Sequence, residues 1–77
     1  MKKIIYDFGA NKGDDIPYYL KRADFVVAVE ADPGLCEIMR NRFQQQIKSG
    51  RVIVENHVIT VDALTEVPFY KHKKNHV

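Results

Sequence analysis

The chain has one cysteine, Cys36, so an internal disulfide is excluded and a reducing compartment fits. Cys36 stands between Leu35 and Glu37 in a helical pattern and reads as a half-buried structural thiol rather than a nucleophile. No apolar run approaches the roughly 20 residues of a membrane span. Lys2 and Lys3 precede the apolar pair Ile4-Ile5, but Asp7 ends that run too early for a signal sequence. The reading is therefore a soluble, cytoplasmic protein. Net charge is only +2 with the histidines neutral, too weak to imply nucleic acid. His57, His72 and His76 lack metal-ligand spacing, so no zinc site is expected. There is no internal repeat, linker or low-complexity tract.

What is present is globular in composition: 45% hydrophobic and 29% charged residues, which excludes a disordered chain. Seventy-seven residues make at most one small domain, read here as a single unit over 1–77. A domain of this size buries only about 60% of the surface its unfolded chain exposes, so the core is marginal. Lys71, Lys73 and Lys74 crowd the end with His72 and His76, and read as a solvated tail.

The apolar run Ile4-Ile5-Tyr6 predicts a strand over 3–8, covered on both faces. A loop follows over 9–13. Asp14 and Asp15 are cap candidates for a helix of about two turns, with Pro17 in its first turn and Lys21-Arg22 at its end. Phe25-Val26-Val27-Ala28-Val29 is the clearest strand and ends on Glu30. Asp32 is an N-cap with Pro33 at the first helical position of the second helix. Leu35, Ile38, Met39, Phe43 and Ile47 predict one apolar face along it, and Gly50 stops it. Residues 51–55 predict a third strand, with a further extended piece over 58–61, a loop over 62–66 and an extended segment over 67–70. Pro68 makes that last segment an edge strand or places it outside a central ladder. Alternation of this kind gives an α/β fold with a parallel sheet and right-handed crossovers.

Three features fall at strand ends, where open α/β sheets bind ligands. The first is Asp7-Phe8-Gly9-Ala10-Asn11-Lys12-Gly13. Gly9 permits close backbone approach, and Gly13 can bring the loop tight against the next helix. The second is Glu30, 17 residues after Gly13, placed to accept two ribose hydroxyls. The third is Asn56 or His57, within reach of an adenine edge. The loop reads G-A-N-K-G and lacks the second glycine of the G-x-G-x-x-G dinucleotide fingerprint. There is no G-x-x-x-x-G-K-S/T phosphate loop either. One acid before the loop and two after it favour a positive or neutral ligand over a polyphosphate. Asp14 and Asp15 read as caps rather than catalytic acids, Lys12 as solvent-facing, and Tyr18 and Tyr19 as core and rim.

Asp7-Phe8-Gly9-Ala10-Asn11-Lys12-Gly13-Asp14 followed by Val27-Ala28-Val29-Glu30-Ala31-Asp32-Pro33 resembles the start of an FkbM-type S-adenosylmethionine-dependent methyltransferase. That family's first motif reads close to D-x-G-A-N-x-G-D, and its second strand ends in V-x-A-V-E-P-x-P. Ala31 departs from the common proline after the acid, while Pro33 is kept. Val67-Pro68-Phe69-Tyr70 is similar to a later strand of these enzymes.

The resemblance implies a truncated Rossmann-like, class I methyltransferase sheet of β-α-β-α-β plus a C-terminal edge strand. It implies S-adenosylmethionine as cofactor. The loop residues Asp7, Gly9, Ala10, Asn11 and Gly13 would hold its amino-acid part, with Asp7 near the ammonium directly or through water. Glu30 would accept the ribose hydroxyls, Ala31 and Asp32 would line the adenine, and Asn56 or His57 would stand on its far side. Transfer would be in-line attack on the sulfonium methyl, to which the protein chiefly contributes positioning. The acceptor implied is a small molecule or sugar hydroxyl.

The resemblance also implies that much is missing. The strand that packs beside the first in that family is not expected here, nor are the acceptor loops, so no general base is nominated. A second function class stays open: a catalytically silent α/β module that binds a nucleoside weakly or serves as an interaction module. A bare first strand predicts self-association or strand exchange through residues 4–8 or through the tail.

Overall fold

The computed structural model describes residues 1–58 and the backbone of 71–73. The elements run β1 (Ile4–Phe8), α1 (Ile16–Leu20), β2 (Phe25–Glu30), α2 (Pro33–Arg42), α3 (Gln44–Lys48), β3 (Val52–Asn56) and β4 (Lys71–Lys73). All described pairings are parallel, in the order β3-β2-β1-β4. The architecture is therefore the expected α/β parallel sheet.

The steps β1 to β2 and β2 to β3 go the same way across the sheet. Right-handed crossovers then put α1, α2 and α3 on one face. The core lies between that face and the helices. Ile5, Val26, Ala28 and Val52 come from the sheet, and Ile16, Tyr19, Cys36, Met39 and Phe43 from the chain packed above it. The alternation along β1 and β2 turns Ile5, Asp7, Val26 and Ala28 to this side, as the pleat of a strand requires. The second helix starts as its sequence predicts. The Asp32 side chain accepts from Gly34 N at 2.7 Å and Leu35 N at 3.3 Å, and Pro33 occupies the first turn. Among the described residues no helix is long and apolar enough to cross a membrane.

Several expectations are corrected. The helix expected to continue through Ile47 breaks at Phe43, whose φ of −115° and ψ of 36° leave the helical region. The turn lets the Phe43 ring sink into the core before α3 begins. Ile38, expected on the apolar face, is 47% exposed, because the buried stripe runs through Cys36, Met39 and Phe43. Cys36 is accordingly fully buried rather than half-buried. Asp15 takes the N-cap position of α1 without a side-chain cap bond, and Asp14 pairs elsewhere.

The largest correction concerns the tail. Lys71–Lys73, read as part of a frayed tail, forms a strand parallel to β1, with Tyr6, Asp7 and Phe8 opposite Lys71, His72 and Lys73, while Lys74 and His76 lie outside the described residues. The first strand therefore has a neighbour along its second half, and the bare edge predicted over 4–8 is not there at Tyr6–Phe8. Of the extended piece expected over 58–61 only Val58 is described, in no regular element; the rest of it, the loop over 62–66 and the segment over 67–70 lie outside the described residues.

Candidate functional site

Strand order reverses between β1 and β4, so the loop after β1 stands at the switch point where such sheets bind ligands. Its shape comes from internal hydrogen bonds. Gly9 N and Ala10 N both donate to Val29 O, at 2.9 and 3.1 Å. Asn11 N donates to Glu30 Oε1 at 2.7 Å, and Gly13 N donates to Ala10 O at 2.9 Å. Asn11 has a φ of 58°, a left-handed angle that asparagine tolerates better than most residues. Gly13 has a φ of 86°, and a Cβ there would lie 2.7 Å from the Phe43 ring and 3.1 Å from Ile16 and Met39. Gly13 is thus required by packing: it seats the loop on α1 and on the C-terminal end of α2.

Glu30 joins this loop to the turn after β2. It is only 9% exposed, and its two oxygens accept from Asn11 N and, at 3.0 Å, from Asp32 N. A carboxylate oxygen has about two acceptor sites, so each can still take a hydroxyl. The Asn56 side chain closes the far side, donating from Nδ2 to Glu30 O and Ala31 O at 2.9 Å each. His57 N adds a bond to Glu30 O at 3.2 Å. From below, the Cys36 thiol lies 3.3 Å from the same carbonyl. Burial pushes that thiol's pKa up, against the pull of Arg40, so Cys36 stays a protonated donor.

The predicted residues thus divide. Glu30, Asn11, Asp32 and Asn56 meet in one hydrogen-bonded cluster, and exposed Ala31 lies within it. Asp7 and Ala10 are fully buried beneath the loop, and Gly9 is half-buried. The His57 ring turns away, with Nε2 3.0 Å from Glu55 Oε1 at the surface. Among the described residues no cluster of potential metal ligands occurs.

One contact was not legible beforehand. Arg42, read as part of the polar helix face, donates from Nη1 to Lys12 O at 3.0 Å and to Asp14 Oδ1 at 2.7 Å. It also stacks over Phe43, 5.2 Å from the ring centroid. No local spacing signals a bond between residues 30 positions apart.

The electrostatics follow from this wiring. The amides of Gly9, Ala10, Asn11 and Gly13 all donate within the chain, so the loop does not form the outward nest of N–H groups that binds phosphates. Two buried carboxylates, Asp7 and Glu30, stand at adjoining strand ends. The Glu30 oxygens keep acceptor capacity beyond the two amides that they hold.

Comparisons with known proteins agree with this geometry. No family model matches the chain. Over 41 residues it is 44% identical to the rRNA adenine N-6-methyltransferase of Lysinibacillus sphaericus, covering 53% of this chain and 17% of that protein. Its fold is similar to that of a SAM-bound amino pentose methyltransferase from Micromonospora echinaspora. The TM-score is 0.61 at 18% identity, over 74% of this chain and 22% of that one. The chain therefore spans about a fifth or less of the length of these proteins. It is related in sequence to a methyltransferase and shares the Rossmann-like α/β sheet of another.

Proposed function

We propose that this chain is the S-adenosylmethionine-holding part of a methyltransferase. The observation that carries the reading is Glu30, a nearly buried carboxylate at the end of β2, braced by the amides of Asn11 and Asp32 with acceptor capacity to spare. The residues present fit the cofactor. Glu30 takes the ribose hydroxyls, and Ala31 and Asp32 line the adenine, with Asn56 fixing the turn that carries them. The loop from Gly9 to Gly13 borders the amino-acid part, with Asp7 buried beneath it. His57, with its ring turned toward Glu55, supports the adenine side through its backbone amide.

S-adenosylmethionine supplies an electrophilic methyl group on a sulfonium centre. This chain's residues bind and orient it, and a loop already hydrogen-bonded in place loses little entropy on binding. The D-x-G-A-N-x-G-D pattern supports an FkbM-type enzyme that methylates a hydroxyl of a small molecule or sugar. A second acceptor, an adenine amine in RNA, is favoured by the identity to the rRNA-modifying relative.

Calorimetric titration with S-adenosylhomocysteine tests the cofactor assignment. The wild-type chain binds, and Glu30→Gln, which keeps the shape but not the charge, binds at least about tenfold more weakly, as expected for losing hydrogen bonds to a charged group. Absence of binding by the wild type overturns the reading. Binding indifferent to Glu30→Gln removes the ribose role. Labelled-methyl transfer to sugars or to RNA separates the two acceptors.

A further inference from the structure

The strand β3 ends the sheet on the side away from β4, and among the described residues no strand pairs with its outer edge. Which of its groups face outward follows from its bonds to β2. Val26 N donates to Arg51 O, and His57 N donates to Glu30 O. In a parallel ladder the bonding alternates, so Arg51, Ile53, Glu55 and His57 face β2. The amides and carbonyls of Val52, Val54 and Asn56 face outward. Ile53 is 45% exposed although it sits mid-strand. A groove of about 470 Å³ runs beside this edge, lined by Ile47, Val52 and Val54 with Arg40 and Lys48.

The sequence of this strand is complementary to itself when reversed. Arg51-Val52-Ile53-Val54-Glu55, paired antiparallel about Ile53, sets Val52 against Val54, Ile53 against Ile53 and Arg51 against Glu55. The outward groups agree with that register. Val52 and Val54 become the residues that exchange N–H···O bonds, and Ile53 becomes the close, non-hydrogen-bonded pair on the two-fold axis. Four interchain bonds result. An axis perpendicular to the sheet keeps both helix layers on one side, so the valines of each copy enter the groove of the other. The Arg51 guanidinium donates to Leu20 O, Ala23 O and Asp24 O of its own chain, so it fixes positive charge at the end of the pairing where Glu55 of the other copy arrives, without a direct bond to it.

The geometry points to a homodimer in which β3 of a second copy pairs antiparallel with β3 about Ile53, making one continuous sheet. The contact is isologous, so it closes at two copies. It lies on the opposite edge from the one the first strand would have used, and it shares no residue with the Glu30 cluster except Asn56 and the flanking His57.

Light scattering on the 77-residue chain over a concentration series tests this. The wild type rises from 8.9 kDa toward twice that mass. Ile53→Lys places two like charges on the axis and stays at the single-chain mass with an unchanged far-UV spectrum. Ile53→Cys cross-links to itself on mild oxidation, because its partner lies within disulfide reach. The wild type does not cross-link, because Cys36 is buried. A wild type that remains monomeric overturns the proposal, as does a dimer that survives Ile53→Lys or one in which Ile53→Cys fails to cross-link.

Discussion

The loop after β1 and the outer edge of β3 treat their backbone groups in opposite ways. At the loop, the amides of Gly9, Ala10, Asn11 and Gly13 are met by carbonyls of the chain and by the Glu30 carboxylate. Along β3, the amides of Val52 and Val54 point away from the sheet. The loop therefore has its conformation set by its own hydrogen bonds, and what it offers outward is side chains and shape. The edge meets whatever it meets with main-chain bonds. The difference shows how a small parallel sheet can satisfy the groups of one loop from within while leaving those of a strand edge directed outward.

Two glycines sharpen this contrast most strongly. Gly13 and Gly50 both have a left-handed φ, but a Cβ at Gly13 meets Phe43, Ile16 and Met39, whereas at Gly50 it meets nothing within 4 Å. Gly50→Ala should cost about 1 kcal/mol, the backbone term alone. Gly13→Ala adds overpacking and should cost roughly 3 kcal/mol or more, enough to unfold a marginal domain. Urea titration of the two variants checks this, and equal losses would mean that the loop is not packed as tightly as described.

Arg42→Ala should have a smaller effect. The Arg42–Asp14 pair is well exposed and contributes no more than about 1 kcal/mol. Its bond to Lys12 O, however, steadies one side of the loop. The expected outcome is a small loss of stability, a severalfold loss of S-adenosylhomocysteine affinity and an unchanged dimer. Equal weakening of dimer and ligand would show that the two regions are not separate.

The smallest effect concerns Cys36. Its folded pKa is raised by burial, so the fold favours the protonated thiol. The contribution is fully present below the unfolded thiol's value and is lost as pH rises through the folded one. Denaturant midpoints should therefore be flat near neutrality with respect to this group and decline in alkaline buffer, and Cys36→Ser should lessen that decline. A thiol reagent should react slowly with the native chain.

Much of the site could be read from residues close in sequence. Asp32 caps its helix because its own side chain reaches Gly34 N and Leu35 N. Glu30 stands at a strand end because an unbroken apolar run, Phe25 to Val29 with three valines, precedes it. Other features could not be read this way. Three basic residues have no local preference for a strand, and only the open side of β1 makes one of them. Ile38 fits the helical period as well as Cys36 does, and the position of the sheet decides which is buried.

Residues near one another along the chain set the alternation of strand, loop and helix, the second helix's cap and the placing of acids at strand ends, since periodicity and capping act over a few residues. Assembly of the sheet sets the rest: Glu30 braces Asn11, Arg42 reaches Lys12, Phe43 breaks its helix to cover Gly13, and a further strand pairs with β1 at Tyr6–Phe8. Those outcomes depend on which distant backbone groups and surfaces meet, and burial and hydrogen-bond satisfaction are settled only when the whole sheet is assembled.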